Sequence, residues 1–374
     1  MNALETQLGA LREAAQNPQV VLDAHVEAGK RVIGVGPYYA PEELVYAGGA
    51  EPFGVWGCVG TAEAARKYFP PFYCSICQMT LEMGMNGTLD KLSVLMTTGL
   101  CDTLRAASQN YKVGMSIPQI FVSQPQNRTC DAGRTYTIES YKDVKRKVEE
   151  AAGTVITDEA LAAANKLFNE WRAAMREFVE LAGTHPAQIS VADRAAVIDS
   201  GYYLDKADHL ERVRAINASL AELPASVDGY TKIVVSGVYQ DIPALEEILD
   251  ANKYAIVADD VAKESRAFAR VVPEKGDPLE ALAMSYVNLK DDSILFDPEK
   301  GRVEKVVSLA QSTGAQGVVL FLAKFCDPEE FAAPLVVAAC REAGIPIVQV
   351  EIDQSTESYE QARTQLEAFK ELVL

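Results

Sequence analysis

The chain has 374 residues, 48% of them apolar and 24% charged, the make-up of a globular protein too long for one ordinary core. Its 53 Asp and Glu against 35 Lys and Arg give a formal charge of −18, which argues against nucleic acid and anionic membrane as main partners. No apolar run reaches the roughly eighteen residues of a spanning helix. The N-terminus lacks the basic and apolar regions of a signal peptide, so a cytoplasmic chain with reduced thiols is expected.

The first thirty residues read as two helices. Leu4, Leu8 and Leu11 fall at helical spacing, and Asn17-Pro18 separates this helix from a second ending near Gly29. The texture then alternates. Arg31–Val35, Pro52–Trp56, Leu92–Met96 and Gln119–Ser123 are β-branched or apolar runs that predict strands, with helical stretches between them. Pro41 opens one such helix, with Glu42 and Glu43 as ordinary acids of its first turn. From 138 to 225 the pattern is helical, over Tyr141–Ala152, Asp158–Ala182, Ala192–Ser200 and Asp205–Leu223. Alternation returns with predicted strands at Lys232–Ser236, Tyr254–Ala258, Ser293–Phe296, Gly317–Leu322 and Ile347–Val350. The expected fold class is therefore α/β, with parallel-sheet units at 30–137 and 229–374. A helical unit is expected from 138–225, with 1–29 packing on it.

In open parallel sheets, ligands bind at the carboxyl ends of strands. Two predicted strands, one per unit, run into Cys-Asp there: Cys101-Asp102 and Cys326-Asp327. Cys74 lies in an aromatic, proline-rich loop that opens a helix, and Cys77 gives it a Cys-x-x-Cys spacing. Helix N-termini favour thiolate, and three converging thiolates would make a soft-metal site. The competing reading is inert core, the usual fate of a free cysteine, and it is the one given to Cys58, Cys130 and Cys340. Zinc is a poor candidate because the Cys-x-x-Cys pair has no partners. His25, His185 and His209 are the only histidines, and solvated or capping roles suit them better than catalysis. No Walker A sequence occurs. Gly34-Val-Gly36 is a tight turn rather than a dinucleotide fingerprint, and Asp259-Asp260 is read as a cap for a helix over Val261–Phe268 rather than a metal site.

The order of these motifs resembles a known family. The run from Gly36 to Ala50, Gly54-Val-Trp-Gly57, Phe72-Tyr-Cys74, Cys101-Asp-Thr-Leu, Gln109-Asn, Pro125-Gln, Asp259-Asp260 and Lys324-Phe-Cys326-Asp-Pro-Glu-Glu are similar to those of the 2-hydroxyacyl-CoA dehydratases, and most like the β-type subunit. The resemblance implies two Rossmann- or flavodoxin-like α/β domains plus a helical domain. It also implies a [4Fe-4S] cluster held by Cys74, Cys101 and Cys326, with a non-cysteine ligand in the fourth position and Cys77 as an alternative to Cys74. A flavin stays unassigned. In this family one electron reduces the thioester to a ketyl radical, which expels the α-hydroxide and so acidifies the β-C–H. The electron comes from an ATP-dependent iron–sulfur activator protein. The implied partner is a homologous α subunit, forming a heterodimer and carrying most of the acyl-CoA contacts; an acidic chain is a poor host for polyanionic coenzyme A. The rival readings are a benzoyl-CoA reductase-type subunit and a cluster-free α/β scaffold.

Overall fold

Two parallel sheets of four strands each carry the chain in this computed structural model, which describes residues 3–374. Helices α1 (Ala3–Gln16) and α2 (Pro18–Glu27) come first. They are split at Asn17 because Pro18 has no N–H with which to continue a helix. The first sheet follows as β1 (Val32–Val35), α3 (Glu42–Ala47), β2 (Glu51–Gly54), α4 (Ser75–Met85), β3 (Val94–Thr98), α5 (Asp102–Gly114) and β4 (Gln119–Val122). Then come α6 (Asp131–Ala152), α7 (Asp158–Thr184), α8 (Val191–Ser200) and α9 (Lys206–Ala221). The second sheet is wound from β5 (Thr231–Gly237), α10 (Pro243–Ala251), β6 (Tyr254–Val261), α11 (Ser265–Phe268), α12 (Pro278–Val287), α13 (Arg302–Thr313), β7 (Gly317–Ala323), α14 (Asp327–Glu342), β8 (Ile347–Ile352) and α15 (Glu360–Val373).

The strand order is β2-β1-β3-β4 in one sheet and β6-β5-β7-β8 in the other. These are the same arrangement met twice, although no residue-level repeat is visible in the sequence. In both, the winding reverses beside the first strand, between β1 and β3 and between β5 and β7, which is where such sheets leave a crevice for ligands. The central strands β1 and β3 are buried along their whole length, as expected of sheets covered on both faces. Leu4, Leu8 and Leu11 of α1 are buried, and α1 packs on α8 and α9. Helix α7 comes so close to β6 that a Cβ at Gly183 would stand 2.9 Å from the Ile256 carbonyl oxygen.

Three expectations are corrected. Ser293–Phe296 is a turn, not a strand. Its Ile-Leu-Phe run has no strand to pair with, and Asp292 folds it back by accepting from the Ile294 N–H at 2.9 Å. Helix α6 starts at Asp131, ten residues before the predicted Tyr141, because its Thr- and Gly-rich first half hides the apolar stripe. The expected helix over Val261–Phe268 shrinks to α11, since Asp259, Asp260 and Val261 belong to β6.

Glu43 on α3 is not an ordinary helix-start acid. It is fully buried and pairs with Arg172 of α7 and, at 2.6 Å, with Arg270, which follows α11. One carboxylate thereby clamps three parts of the chain. Burial works to raise its pKa, but the two guanidiniums outweigh this and hold it at about 2. The ordinary carboxyl value is higher, so this stabilisation is complete above about pH 4.5 and is lost as pH falls towards 2. Glu43→Gln strands two buried cations. It is expected to lower unfolding free energy by about 3–5 kcal/mol at pH 7, with the gap to wild type closing in urea melts below pH 4.5.

Candidate functional site

The three cysteines singled out in the sequence stand at helix starts. Cys101 is the N-cap of α5, and its Sγ accepts from the Leu104 N–H at 3.4 Å. Cys326 is the N-cap of α14, directly after β7, and Cys74 is the N-cap of α4. Cys101 and Cys326 hold equivalent places in the two sheets. Each ends the strand across the crevice from its sheet's first strand, and each caps the helix that follows. All three are half-buried and all are free thiols.

Their thiols share one electrostatic neighbourhood. Burial pushes Cys101 up to about 12, with charge at Cys74 adding to it. Burial also raises Cys326 well above the ordinary range, followed by Glu329 and by charge at Cys74 and Cys101. Cys74 moves the other way. A hydrogen bond shared with Cys77, sulfur to sulfur 3.7 Å, lowers Cys74 and raises Cys77. Cys77 is fully buried, and charge at Cys101 reaches it as well.

Among the described residues, no three His, Cys, Asp or Glu side chains are grouped to hold one metal ion. Sulfurs on a single tetrahedral ion lie roughly 3.8 Å apart. Sulfurs on separate irons of one cluster lie further apart. Three thiol side chains at helix starts are soft donors of the kind an iron–sulfur group would take.

The backbone around these residues is strained. Phe325, just before Cys326, has φ 61°, and Tyr38 and Tyr39 after β1 have φ 67° and 50°. Non-glycine residues adopt this region only when their surroundings dictate it. Tyr39 donates to Asp292 at 2.6 Å. The Tyr38 hydroxyl is buried with no hydrogen-bond partner among the described residues.

Behind Cys326 lies a charge network that sequence reading missed. Glu329, in the first turn of α14, meets Arg266 at 3.3 Å and Arg302 at 2.7 Å. Both arginines also hold Asp260, as does Lys305 at 2.9 Å. Asp260 is therefore the anionic centre of this network and caps nothing. Asp259 does cap α11, accepting from the Ser265 N–H at 3.1 Å, and it pairs with Arg194 at 2.6 Å.

The remaining expectations divide. Cys340 is core, buried against Val234, Val318 and Val336. Cys58 and Cys130 are exposed and so are not core. His185 caps α7 and is bonded to the Leu181 carbonyl at 2.9 Å. His209 is neither solvated nor a cap. It is fully buried, accepts from the Trp171 indole at 2.9 Å, and burial followed by Lys206 pushes it down to about 3. It is a neutral structural imidazole.

Comparison with known proteins supplies the family. The model of the 2-hydroxyglutaryl-CoA dehydratase D-component matches residues 37–373. The chain is 43% identical to the (R)-2-hydroxyglutaryl-CoA dehydratase subunit beta of Acidaminococcus fermentans, over 99% of both chains. It is 40% identical to the (R)-phenyllactyl-CoA dehydratase beta subunit of Clostridium sporogenes, over 96% of both. With the lactoyl-CoA dehydratase subunit beta of Anaerotignum propionicum the identity is 35% over the full length of both.

Proposed function

The chain belongs to the 2-hydroxyglutaryl-CoA dehydratase D-component family, and we propose that it is the β-type subunit of a heteromeric 2-hydroxyacyl-CoA dehydratase, a hydro-lyase. In this reading Cys74, Cys101 and Cys326 hold a [4Fe-4S] cluster, and the chain relays one electron to a homologous α subunit. The preferred substrate is (R)-2-hydroxyglutaryl-CoA, which is converted to glutaconyl-CoA. The observation that carries the reading is the pairing of Cys101 and Cys326 at equivalent strand ends of two like-ordered sheets, with Cys74 in the same electrostatic neighbourhood. The division into two α/β domains and a helical domain, and a cytoplasmic location, belong to the same proposal. For the location, the supporting fact is that no helix among the described residues is long and apolar enough to cross a membrane.

When bound, such a cluster supplies a single low-potential electron. The chain's own residues set its surroundings. The N-terminus of α5 gives the Leu104 N–H to the Cys101 sulfur, a contact that favours thiolate against the burial that raises the Cys101 and Cys326 thiols. Partial burial of the cysteines limits the access of water to them. Glu329 and the arginines it grips fix the start of α14, so Cys326 is held by a rigid support. No Walker motif occurs, so ATP hydrolysis falls to a separate activator protein. The acyl-CoA is left mainly to the α subunit; the cavity of about 510 Å³ in this chain supports that, because its two cations, Arg12 and Lys263, are already paired with Asp193, Asp199 and Asp241 and so are not free for coenzyme A phosphates.

The test is reconstitution with the cognate α subunit and activator under anaerobic conditions. Turnover of (R)-2-hydroxyglutaryl-CoA at least about tenfold above lactoyl-CoA, phenyllactyl-CoA and benzoyl-CoA, a difference of about 1.4 kcal/mol in barrier, is the expected result. Reduction of benzoyl-CoA instead would move the chain to the reductase branch. No turnover of any of the four by an iron-loaded complex would overturn the proposal.

A further inference from the structure

The first turn of α4 carries two thiols where the proposed ligand set uses one. Cys74 is the N-cap, and Cys77 stands three residues further on. Their sulfurs are 3.7 Å apart. Among the described residues no other two sulfurs are hydrogen-bonded to each other. A three-residue step at a helix start puts the α-carbons about 5 Å apart, inside the span of about 4.4–6.8 Å that a disulfide bridges. The pair can therefore close without moving the backbone.

The turn that carries the two thiols is anchored to both sheet units. The Tyr111 hydroxyl of α5 donates to the Cys77 carbonyl at 3.1 Å. The Ser75 hydroxyl lies 3.2 Å from that of Tyr239, which follows β5, and accepts from the Gln354 N–H, after β8, at 3.3 Å. Tyr111, Ser75, Tyr239 and Gln354 are all buried. Two reacting groups held in place on a fixed backbone meet far more often than the same groups on a mobile loop.

The two sulfurs are unequal in access. Cys77 is fully buried, whereas Cys74 is half-buried. Pro70, Pro71 and Phe72, on the loop that leads to Cys74, are exposed. A small molecule in solution reaches Cys74 and does not reach Cys77. Exchange with a disulfide depends on such access and on which sulfur is attacked, so Cys74 is placed to attack and Cys77 to resolve.

We infer that Cys74 and Cys77 form a reversible dithiol–disulfide pair that small disulfides oxidise. In the first step the Cys74 sulfur attacks one sulfur of the small disulfide, whose bond breaks, and one small thiol leaves. In the second step the Cys77 sulfur attacks the Cys74 sulfur and displaces the other small thiol. The protein pair gives up two electrons and two protons, and the small disulfide takes them up as two thiols. The closed pair withdraws Cys74 from iron binding, a consequence that rests on the dehydratase reading. The bond itself does not depend on iron.

The test treats the iron-free full chain with oxidised glutathione, alkylates the remaining thiols, digests with trypsin and measures masses. Cleavage after Lys67 and Lys91 releases Tyr68–Lys91, which holds Cys74 and Cys77 and no other cysteine. In the wild type this peptide is expected to be two hydrogens lighter than its reduced form, unalkylated and without glutathione. Dithiothreitol should restore two alkylatable thiols. Cys77→Ala should keep one glutathionyl group on Cys74, because no second sulfur displaces it. Cys74→Ala should leave Cys77 a free thiol, because the buried sulfur is not reached. Circular dichroism melts identify a variant that does not fold, and the wild-type peptide decides the matter without either variant. A wild-type peptide that stays a dithiol, one that keeps a glutathionyl group, or one cross-linked to the peptide of Cys101 or Cys326 would overturn the inference. No such result touches the dehydratase reading, since the chain tested carries no iron.

Discussion

Serine in place of Cys101 or of Cys326 is expected to lower the iron content of the anaerobically purified chain at least about tenfold. Losing a mere supporting residue of a metal site already weakens metal affinity by about 10–100-fold, and these residues are proposed as ligands. The brown colour should fade in step. Cys58→Ser and Cys130→Ser alter exposed thiols outside the proposed ligand set and should keep both iron and colour. Cys74→Ser against Cys77→Ser separates the two neighbours. The half-buried Cys74 should behave like Cys101, whereas the buried Cys77 should affect stability more than iron. Iron content unchanged in both Cys101→Ser and Cys326→Ser would remove the ligand assignment altogether.

Replacing Arg266 by Met should be among the most destabilising single changes in the chain. Its guanidinium is fully buried and meets Asp260 at 2.9 Å, Asp292 at 3.2 Å and Glu329 at 3.3 Å. Arg302 and Lys305 still serve Asp260 after the change, and Arg302 still serves Glu329. Among the described residues, Asp292 keeps only the Tyr39 hydroxyl and the Ile294 N–H. An uncompensated charge of this kind costs about 3–5 kcal/mol. Urea unfolding at pH 7 measures the loss. Adding Asp292→Asn should recover part of it, because the double variant removes the charge left alone. A loss under about 1 kcal/mol, the scale of an exposed pair, would mean that the network contributes little. Glu329 belongs to this network and to the first turn of the helix that Cys326 caps. Arg266→Met should therefore also loosen iron retention, more than an equally destabilising change in α9 would.

The parts of this molecule legible in the sequence are those written in short-range patterns. The strands around Val32–Val35, Val94–Thr98 and Gly317–Ala323 announce themselves as β-branched runs, and the Cys-Asp that follows each of the last two points to the crevice. Ser293–Phe296 has the same apolar texture and yet is a turn. Whether a short run becomes a strand depends on having a neighbour to pair with, and that is a property of the whole fold. The charge network was hidden for a similar reason. Asp260, Arg266, Asp292, Arg302 and Glu329 are scattered, and each looks like a surface residue until all five are buried together. Glu43 looked like a helix-start acid because its partners, Arg172 and Arg270, lie far along the chain. The cavity had no sequence signal at all, since its walls come from segments between Arg12 and Gln354.

A repeated architecture produces matched pairs, and the proposed donor set is odd. Cys101 and Cys326 are mates under the repetition of the strand order. Cys74 follows β2, so its mate would follow β6. There the chain reads Ala262-Lys-Glu-Ser-Arg266-Ala-Phe268, with no sulfur, and it supplies the cations of the buried pairs instead. The repeat is thus broken at one corner, where the first half offers a soft nucleophile and the second half a hard positive charge. A group with four equivalent metal positions seated here would find three of them tied to the protein and one left free. An open position of that kind would take an outside ligand, and it would follow from Lys263 and Arg266 standing after β6 where Cys74 stands after β2.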